Sequence, residues 1–258
     1  MESTPHNLTR RAIEAVARLD QRKYRRQSGL FKAEGTKCVL DTIPHFEVES
    51  FFATADWIAA HSHAAPQATI VSRGELQKMS SLSTPADVIA VMRIPCWKLL
   101  DDAAAEGLVL ALDTIQDPGN LGTIIRVADW YGITDIICSR ETADCFAPKV
   151  IQSTMGSISR VRLHYCDLPA TILRLSGNGN IPVYGTYIEG NDIDSMHLTS
   201  TGIIVVGNEG NGISDQVTAT VTHRITLPSY PPNRPTAESL NAAVATAITV
   251  SKFRSSKF

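Results

Sequence analysis

Between Leu108 and Ile115 the chain runs LVLALDTI, the near-continuous apolar stretch that a strand covered on both faces requires. It leads into DPGNLGT and then IIRVADWYG, which predicts a strand, a glycine-bearing loop and a helix stopped by Gly132. DIICS, IPVYGTYI, GIIVVGN and HRITLP repeat the strand signature with helical stretches between several of them, so a largely parallel α/β sheet is expected. From about Ser239 a closing helix is predicted, with Leu240, Ala243, Val244, Ala247 and Ile248 on one apolar face.

The first third reads differently. From Asn7 to Leu40 the pattern predicts helix, basic turn, helix: Ile13, Val16 and Leu19 recur at helical spacing, RKYRRQSGLFKAEG intervenes, and Cys38, Val39 and Leu40 resume. Short strand-like runs follow, FEVESFFAT, ATIVS and DVIAVMRI, separated by HSHAAPQ and SSLSTPA. The expected organisation is a small α/β domain over residues 1–95, a linker over 96–106 and a larger α/β domain over 107–258. The HSH triplet at 61–63 has no third ligand nearby in sequence and reads as a loop.

Composition changes this picture little. A hydrophobic content of 43% supports a buried core, and 24 Lys and Arg against 26 Asp and Glu give no global attraction to a polyanion. The local balance is another matter. Arg18, Arg22, Lys23, Arg25, Arg26 and Lys32 cluster against only Asp20 and Glu34, with Tyr24 and Phe31 interleaved, a composition suited to phosphates and base stacking and equally to a solvated face. Five scattered cysteines without a CxxC pair indicate reduced thiols and no metal framework. With no apolar core at the start and no window of roughly 18 apolar residues, a soluble, cytoplasmic protein is expected.

Three loops follow predicted strands, where ligands of open parallel sheets bind. In the first, DPGNLGTIIRVADW, Gly119 and Gly122 permit tight turns, Asn120 is placed to cap the helix and Arg126 emerges on its first turns. The second, VVGNEGNGISDQV, matches neither the GxGxxG dinucleotide fingerprint nor GxxxxGK[ST]. The third, ITLPSYPPNRPTAESLNAAVATA, is a proline-rich excursion that ends where Ser239 and Asn241 open the last helix.

In this order and spacing the loops resemble the three motifs of the SpoU (TrmH-like) methyltransferases of the knotted SPOUT class. N-x-G-x-x-x-R-x-A is met by Asn120, Gly122, Arg126 and Ala128, G-x-E-x-x-G by Gly207, Glu209 and Gly212, and S-L-N by Ser239, Leu240 and Asn241. The resemblance spans about Leu108 to Phe253, and RKYRRQSGLFKAEGTK looks like the family's substrate-binding domain. It implies a trefoil-knotted domain that takes S-adenosyl-L-methionine and methylates a ribose 2′-hydroxyl of RNA, ribosomal RNA rather than transfer RNA. Arg126 is then the essential catalytic residue, acting on developing alkoxide rather than as a base. Asn120 and Ser239 would hold the ribose, while Asn241 and Glu209 brace the loops. Gly207, Asn208, Leu227, Pro228 and Leu240 would line the cofactor pocket, and Arg22, Lys23, Arg25 and Arg26 would meet RNA.

The same resemblance implies a homodimer through the second domain, using the last helix and the Trp130 and Tyr131 end of the Arg126 helix, with no metal and no membrane. One departure is visible: family sequences run I-P-M-x-G toward SLN, whereas LPSYPPNRPTAESLN lacks that glycine and is longer, so Tyr230 to Pro235 would lie beside the methyl-transfer site. Three other readings compete: an inactive RNA-binding ribosome factor of the same fold, a knotted base methyltransferase, and a doubly wound nucleotide-binding oxidoreductase.

Overall fold

The computed structural model describes residues 8–64, 67–231 and 237–255. Its first stretch contains α1 (Arg10–Arg18), α2 (Arg22–Ser28), β1 (Leu30–Glu34), α3 (Thr36–Thr42), β2 (Val48–Ala53), α4 (Ala55–Ala60), β3 (Thr69–Ile70), α5 (Arg73–Met79) and β4 (Val88–Arg93). There follow α6 (Ala103–Glu106), β5 (Leu108–Leu112), α7 (Pro118–Trp130), β6 (Asp135–Cys138), α8 (Pro148–Thr154), β7 (Arg162–Tyr165) and α9 (Leu168–Leu175). The chain ends with β8 (Val183–Asp192), β9 (Gly202–Val206), α10 (Asp215–Thr218), β10 (His223–Thr226) and α11 (Ala242–Ser255). No helix among the described residues is long and apolar enough to cross a membrane.

Two compact units emerge, and they do not follow chain order. The first joins the described residues up to Cys96 with Asp144–Ser159, and the second joins Trp97–Ala143 with the described residues from Arg160 onward. In the first unit a four-stranded sheet runs β1-β4-β2-β3, antiparallel except for the β2–β3 pair. Val16 and Leu19 near α1 and Leu76 and Met79 from α5 pack on Phe52, Ile89 and Val91 of the sheet. Elsewhere in the unit Phe31 meets the rings of Phe46 at 5.1 Å and Phe146 at 4.7 Å.

The segment predicted as a basic turn is instead a helix and a strand. Five of the seven residues of RKYRRQS, the four cations and Gln27, are good helix formers, and Gly29 ends α2 in the left-handed conformation at φ 68°, donating its amide to Arg25 O. β1 escaped notice because two of its buried residues are charged. Lys32, 1% exposed, places Nζ 2.9 Å from Asp20 and 3.3 Å from Glu34, itself 2% exposed and bonded to Ser80 and Ser81. Such burial is tolerable only when each charge is paired.

Asp144–Ser159 packs into this unit through specific contacts. Gln152 Nε2 donates to Glu34 O at 2.6 Å, and Gly156, at φ 87°, sits where a Cβ would fall 2.7 Å from Asp41 Cβ. The predicted division at 96–106 assigns this segment by chain position to the second domain, whereas its packing puts it with the first.

The second unit is a six-stranded, wholly parallel sheet in the order β10-β8-β9-β5-β6-β7. Every residue of β5, β6 and β9 is buried, as their apolar runs predict. β7, RLHY, was not predicted, because an edge strand with Arg162 and His164 half-exposed or paired carries no apolar run. Numbered from β5, the order is 3-2-1-5-4-6: β9 inserts between β5 and β8. The dinucleotide-binding doubly wound sheet runs 3-2-1-4-5-6, so this arrangement excludes the oxidoreductase reading.

The last helix buries a second face that the sequence pattern did not single out, and leaves most of the predicted apolar face outward. Ala242, Ala243, Thr246, Thr249, Val250 and Phe253 are its buried residues, while Leu240, Val244 and Ile248 remain 50%, 48% and 38% exposed. Only Ala243 of the predicted face is fully buried within the chain.

Candidate active site

The loop after β5 opens α7 with an aspartate. Asp117 accepts from the Asn120 amide at 2.8 Å and Pro118 occupies the first turn, so the cap is Asp117 and not Asn120 as predicted. The Asp-Pro pair before an apolar run was a legible signal for it. Freed from capping, the Asn120 side chain reaches the other two loops. Its Nδ2 donates to Glu209 Oε1, and its Oδ1 accepts from Asn241 Nδ2 at 2.9 Å. Asn241 Oδ1 in turn accepts from the amides of Ala243 at 3.0 Å and Val244 at 3.3 Å, the geometry of an N-cap for α11.

The second loop is held by its own backbone. Asn208 and Gly212 exchange amide-to-carbonyl hydrogen bonds of 2.9 Å, and Asn208 Oδ1 accepts from Gly210 and Asn211. A Cβ on Gly207 would lie 2.3 to 2.5 Å from the backbone of Gly212 and Ile213, so any side chain there displaces the loop itself. Two residues not singled out by sequence secure this loop to β5. Buried Asp113 accepts from the Ser214 amide at 2.8 Å and hydroxyl at 2.7 Å, and Asn208 Nδ2 donates to Thr114 O at 2.9 Å. Thr114 stands at φ 60°, a left-handed position costing a β-branched residue about 1–3 kcal/mol, which these bonds and one from its amide to Ser139 offset.

The second and third loops, with residues 186–189 of β8, line a cleft of about 930 Å³ at the carboxyl ends of β8, β9 and β10. Gly207, Asn208, Glu209, Leu227, Pro228, Ser239 and Leu240 line it. Of the predicted acceptor-side residues, Asn120, Arg126 and Asn241 lie outside that lining. Asn120 and Asn241 join it through hydrogen bonds, while Arg126 is an exposed residue of α7 without an ion pair to any described residue. Tyr230 is 90% exposed, and of the predicted Tyr230 to Pro235 excursion residues 232–235 lie outside the described residues. Burial holds the Cys38 thiol up at about 11 and raises that of Cys166, so neither is a ready nucleophile.

The basic run of the first unit divides. Arg25 is 2% exposed; it donates from Nη2 to Asp144 at 2.7 Å, from Nε to the same oxygen at 3.0 Å and from Nη1 to Leu19 O at 2.6 Å. Its assignment as an RNA contact is therefore corrected: its charge is spent inside the fold, and the same holds for Lys32. Lys23 and Arg26 are exposed, Arg22 is half-buried, and Arg18 lies 5.4 Å over the Tyr24 ring. His61 of the HSH triplet stacks on Trp57 at 4.5 Å at the end of α4.

A cleft at the carboxyl ends of a parallel sheet defines a ligand-binding α/β domain, and the other unit of the chain carries a helix with two exposed cations, Lys23 and Arg26. The chain belongs to the SpoU rRNA Methylase family, whose model matches residues 107–251, and residues 10–90 match the MRM3-like substrate binding domain. It is 31% identical over 240 residues to the Bacillus subtilis 23S rRNA (guanosine(2553)-2′-O)-methyltransferase RlmP, covering 92% of this chain and 93% of that one. An RNA methyltransferase of the TrmH family from Porphyromonas gingivalis superposes with a TM-score of 0.84 and 34% identity, over 95% of this chain and 98% of that one. An AdoMet-bound rRNA methyltransferase from Sinorhizobium meliloti gives 0.83 and 26%, over 98% and 97%.

Proposed function

We propose that this protein transfers a methyl group from S-adenosyl-L-methionine to a ribose 2′-hydroxyl of ribosomal RNA. The observation that carries the reading is the hydrogen-bonded joining of the three loops through Asn120 beside an open cleft, with Arg126 exposed on the adjoining helix. The cleft suits the cofactor: its volume is that of a pocket for a molecule of this size, and its wall combines apolar Leu227 and Leu240 with backbone-rich glycine turns. Bound there, the cofactor supplies an activated methyl group on a sulfonium.

The chain's own residues do the rest. Gly207, Asn208, Leu227, Pro228 and Leu240 hold the cofactor, and Ser239, exposed at the cleft, orients the ribose. Asn120, engaged at both ends of its amide, serves with Glu209 and Asn241 to keep the loops in register. Arg126 presents a guanidinium, which stays protonated and so acts by stabilising negative charge on the ribose oxygen and by orienting a phosphate. Lys23 and Arg26, with Arg22, bind the phosphate backbone of the RNA.

The reading includes a trefoil knot formed by the second and third loops, as the family membership implies. It also includes a homodimer, for which exposed Trp130, Val244 and Ile248 offer the apolar surface, and a cytoplasmic reaction. The test is to map 2′-O-methyl groups in RNA from cells with and without the gene, alongside transfer of labelled methyl to purified RNAs. Loss of one ribosomal position supports the reading. Label entering only transfer RNA, or calorimetry showing no cofactor binding, sinks it and favours the transfer-RNA enzyme or the inactive factor respectively.

A further inference from the structure

β8 and β10 pair in two stretches with a break between them. His223 and Arg224 face Tyr184 and Gly185, whereas Ile225 and Thr226 face Asn191 and Asp192, so residues 186–190 arch out of register. Thr186, Tyr187, Ile188 and Glu189 of this arch line the cleft, and Ile188 at its crest is 74% exposed. An apolar side chain raised from a strand on a short arch keeps its place only if the arch is fastened.

The fastening is visible. At its start Thr186 Oγ1 donates to Val205 O at 3.0 Å, and at its crest Thr226 Oγ1 donates to Ile188 O at 2.8 Å. In its middle, the Tyr187 ring lies over Gly185, where a Cβ would fall 2.6 Å from Tyr187 Cε2. The Tyr187 hydroxyl is 2.9 Å from Thr218 Oγ1 of α10, and the Arg224 guanidinium covers the ring at 4.2 Å from its centroid. One aromatic side chain thus ties β8, β10 and α10 together beneath the arch, with a cation–π contact from the exposed Arg224 of the modest strength such contacts have at a surface. None of these residues belongs to the three loop motifs.

We infer that Tyr187, clamped by Arg224, is a positioning residue that holds the 186–190 arch so that Ile188 forms an apolar wall for the adenosine part of the cofactor. The inference rests on the proposed cofactor reading. Tyr187 and Arg224 also line the cleft, and the inference assigns their effect to the placement of Ile188. Loosening the clamp therefore weakens ligands that share adenosine, whatever they carry at the sulfur.

The test is calorimetric titration of the full chain with S-adenosylhomocysteine and with 5′-methylthioadenosine, which keeps adenosine but lacks the amino-acid end. Tyr187→Ala should weaken both by the same factor, at least ~10-fold, and exposed Arg224→Gln should weaken both by roughly 3-fold or more, these being the losses expected for one clamp contact. Tyr187→Phe, which keeps the ring, should recover most of the affinity. In turnover, KM for the methyl donor should rise while kcat at saturation holds. If Tyr187→Ala does not fold, Arg224→Gln decides the matter. Unchanged affinity in folded Arg224→Gln overturns the clamp, as does a loss confined to S-adenosylhomocysteine, which would mean a direct contact with the amino-acid end. Failure of the unaltered protein to bind either ligand would instead overturn the cofactor reading itself.

Discussion

Asn241 donates to Asn120 at 2.9 Å across 121 residues of sequence, and Asn120 passes the contact on to Glu209. The hydrogen-bond donor at Asn120 is what lets it face a carboxylate. Asn120→Asp should replace that donor with a second negative oxygen, lower the melting temperature and reduce methyl transfer at least ~10-fold, the scale set by losing a hydrogen bond to a charged group. Melting curves and turnover compared with Asn120→Ala check this; an Asp variant as good as the Ala variant would remove the charge argument.

Arg126→Ala should reduce methyl transfer at least ~100-fold, the usual loss on removing one preorganised charge. Folding and cofactor affinity should stay near those of the parent, because Arg126 has no ion pair with a described residue and does not line the cleft. Near-normal turnover in the variant would move the catalytic role elsewhere.

Arg25 and its neighbours on α2 should separate cleanly. Arg25→Ala leaves Asp144 without its cation and should destabilise the protein by about 3 kcal/mol. Lys23→Ala and Arg26→Ala should leave stability within about 0.5 kcal/mol and flatten the salt dependence of RNA binding by up to roughly one unit of slope each. Denaturant melts and RNA titrations at several salt concentrations read both effects. A 97–258 fragment is a poor probe of substrate choice, since it strips Asp144–Ser159 of the residues it packs against.

Ile248→Asp and Val244→Asp put charge on the exposed stripe of α11, away from its buried face. Each should convert the proposed dimer to a folded monomer with little activity. Light scattering that finds the unaltered chain already monomeric and active would refute the dimer.

Asp135 sets an acid limit. Burial works to raise its pKa, but hydrogen bonds from His164, Arg162 and Thr134 outweigh it and hold the carboxyl down at about 2, below its ordinary 3.8. A carboxylate lowered in the folded state contributes fully above its unfolded pKa and loses that contribution as pH falls through the folded one. Stability measured from about pH 4 down to pH 2 should therefore fall, and Asp135→Asn should make the fall shallower while lowering stability at neutral pH.

Local pattern was enough for the central strands of the second unit, because a strand buried on both faces is built mainly of apolar residues: β5 and β9 carry no polar side chain, and β6 carries Asp135 only at its first position, where Arg162 and His164 pair with it. The three loops were legible only together, through the resemblance that their order and spacing carry: each alone reads as an ordinary turn, and the cap of α7 proved to be Asp117 rather than Asn120. It could not tell which cations of RKYRRQSGLFK are outside: Arg25 and Lys32 look like their exposed neighbours until Asp144, more than a hundred residues away, and Glu34 supply the partners that make burial affordable. Nor could it show that Asn120 joins Glu209 to Asn241, that Tyr187 lies beneath an arch, or that α11 buries Thr246, Thr249 and Phe253 on a face the pattern did not mark. Each of these depends on residues distant in the chain meeting at one place. Spacing reports only what lies within a turn or two of helix, whereas the order of strands in the sheet decides which loops become neighbours.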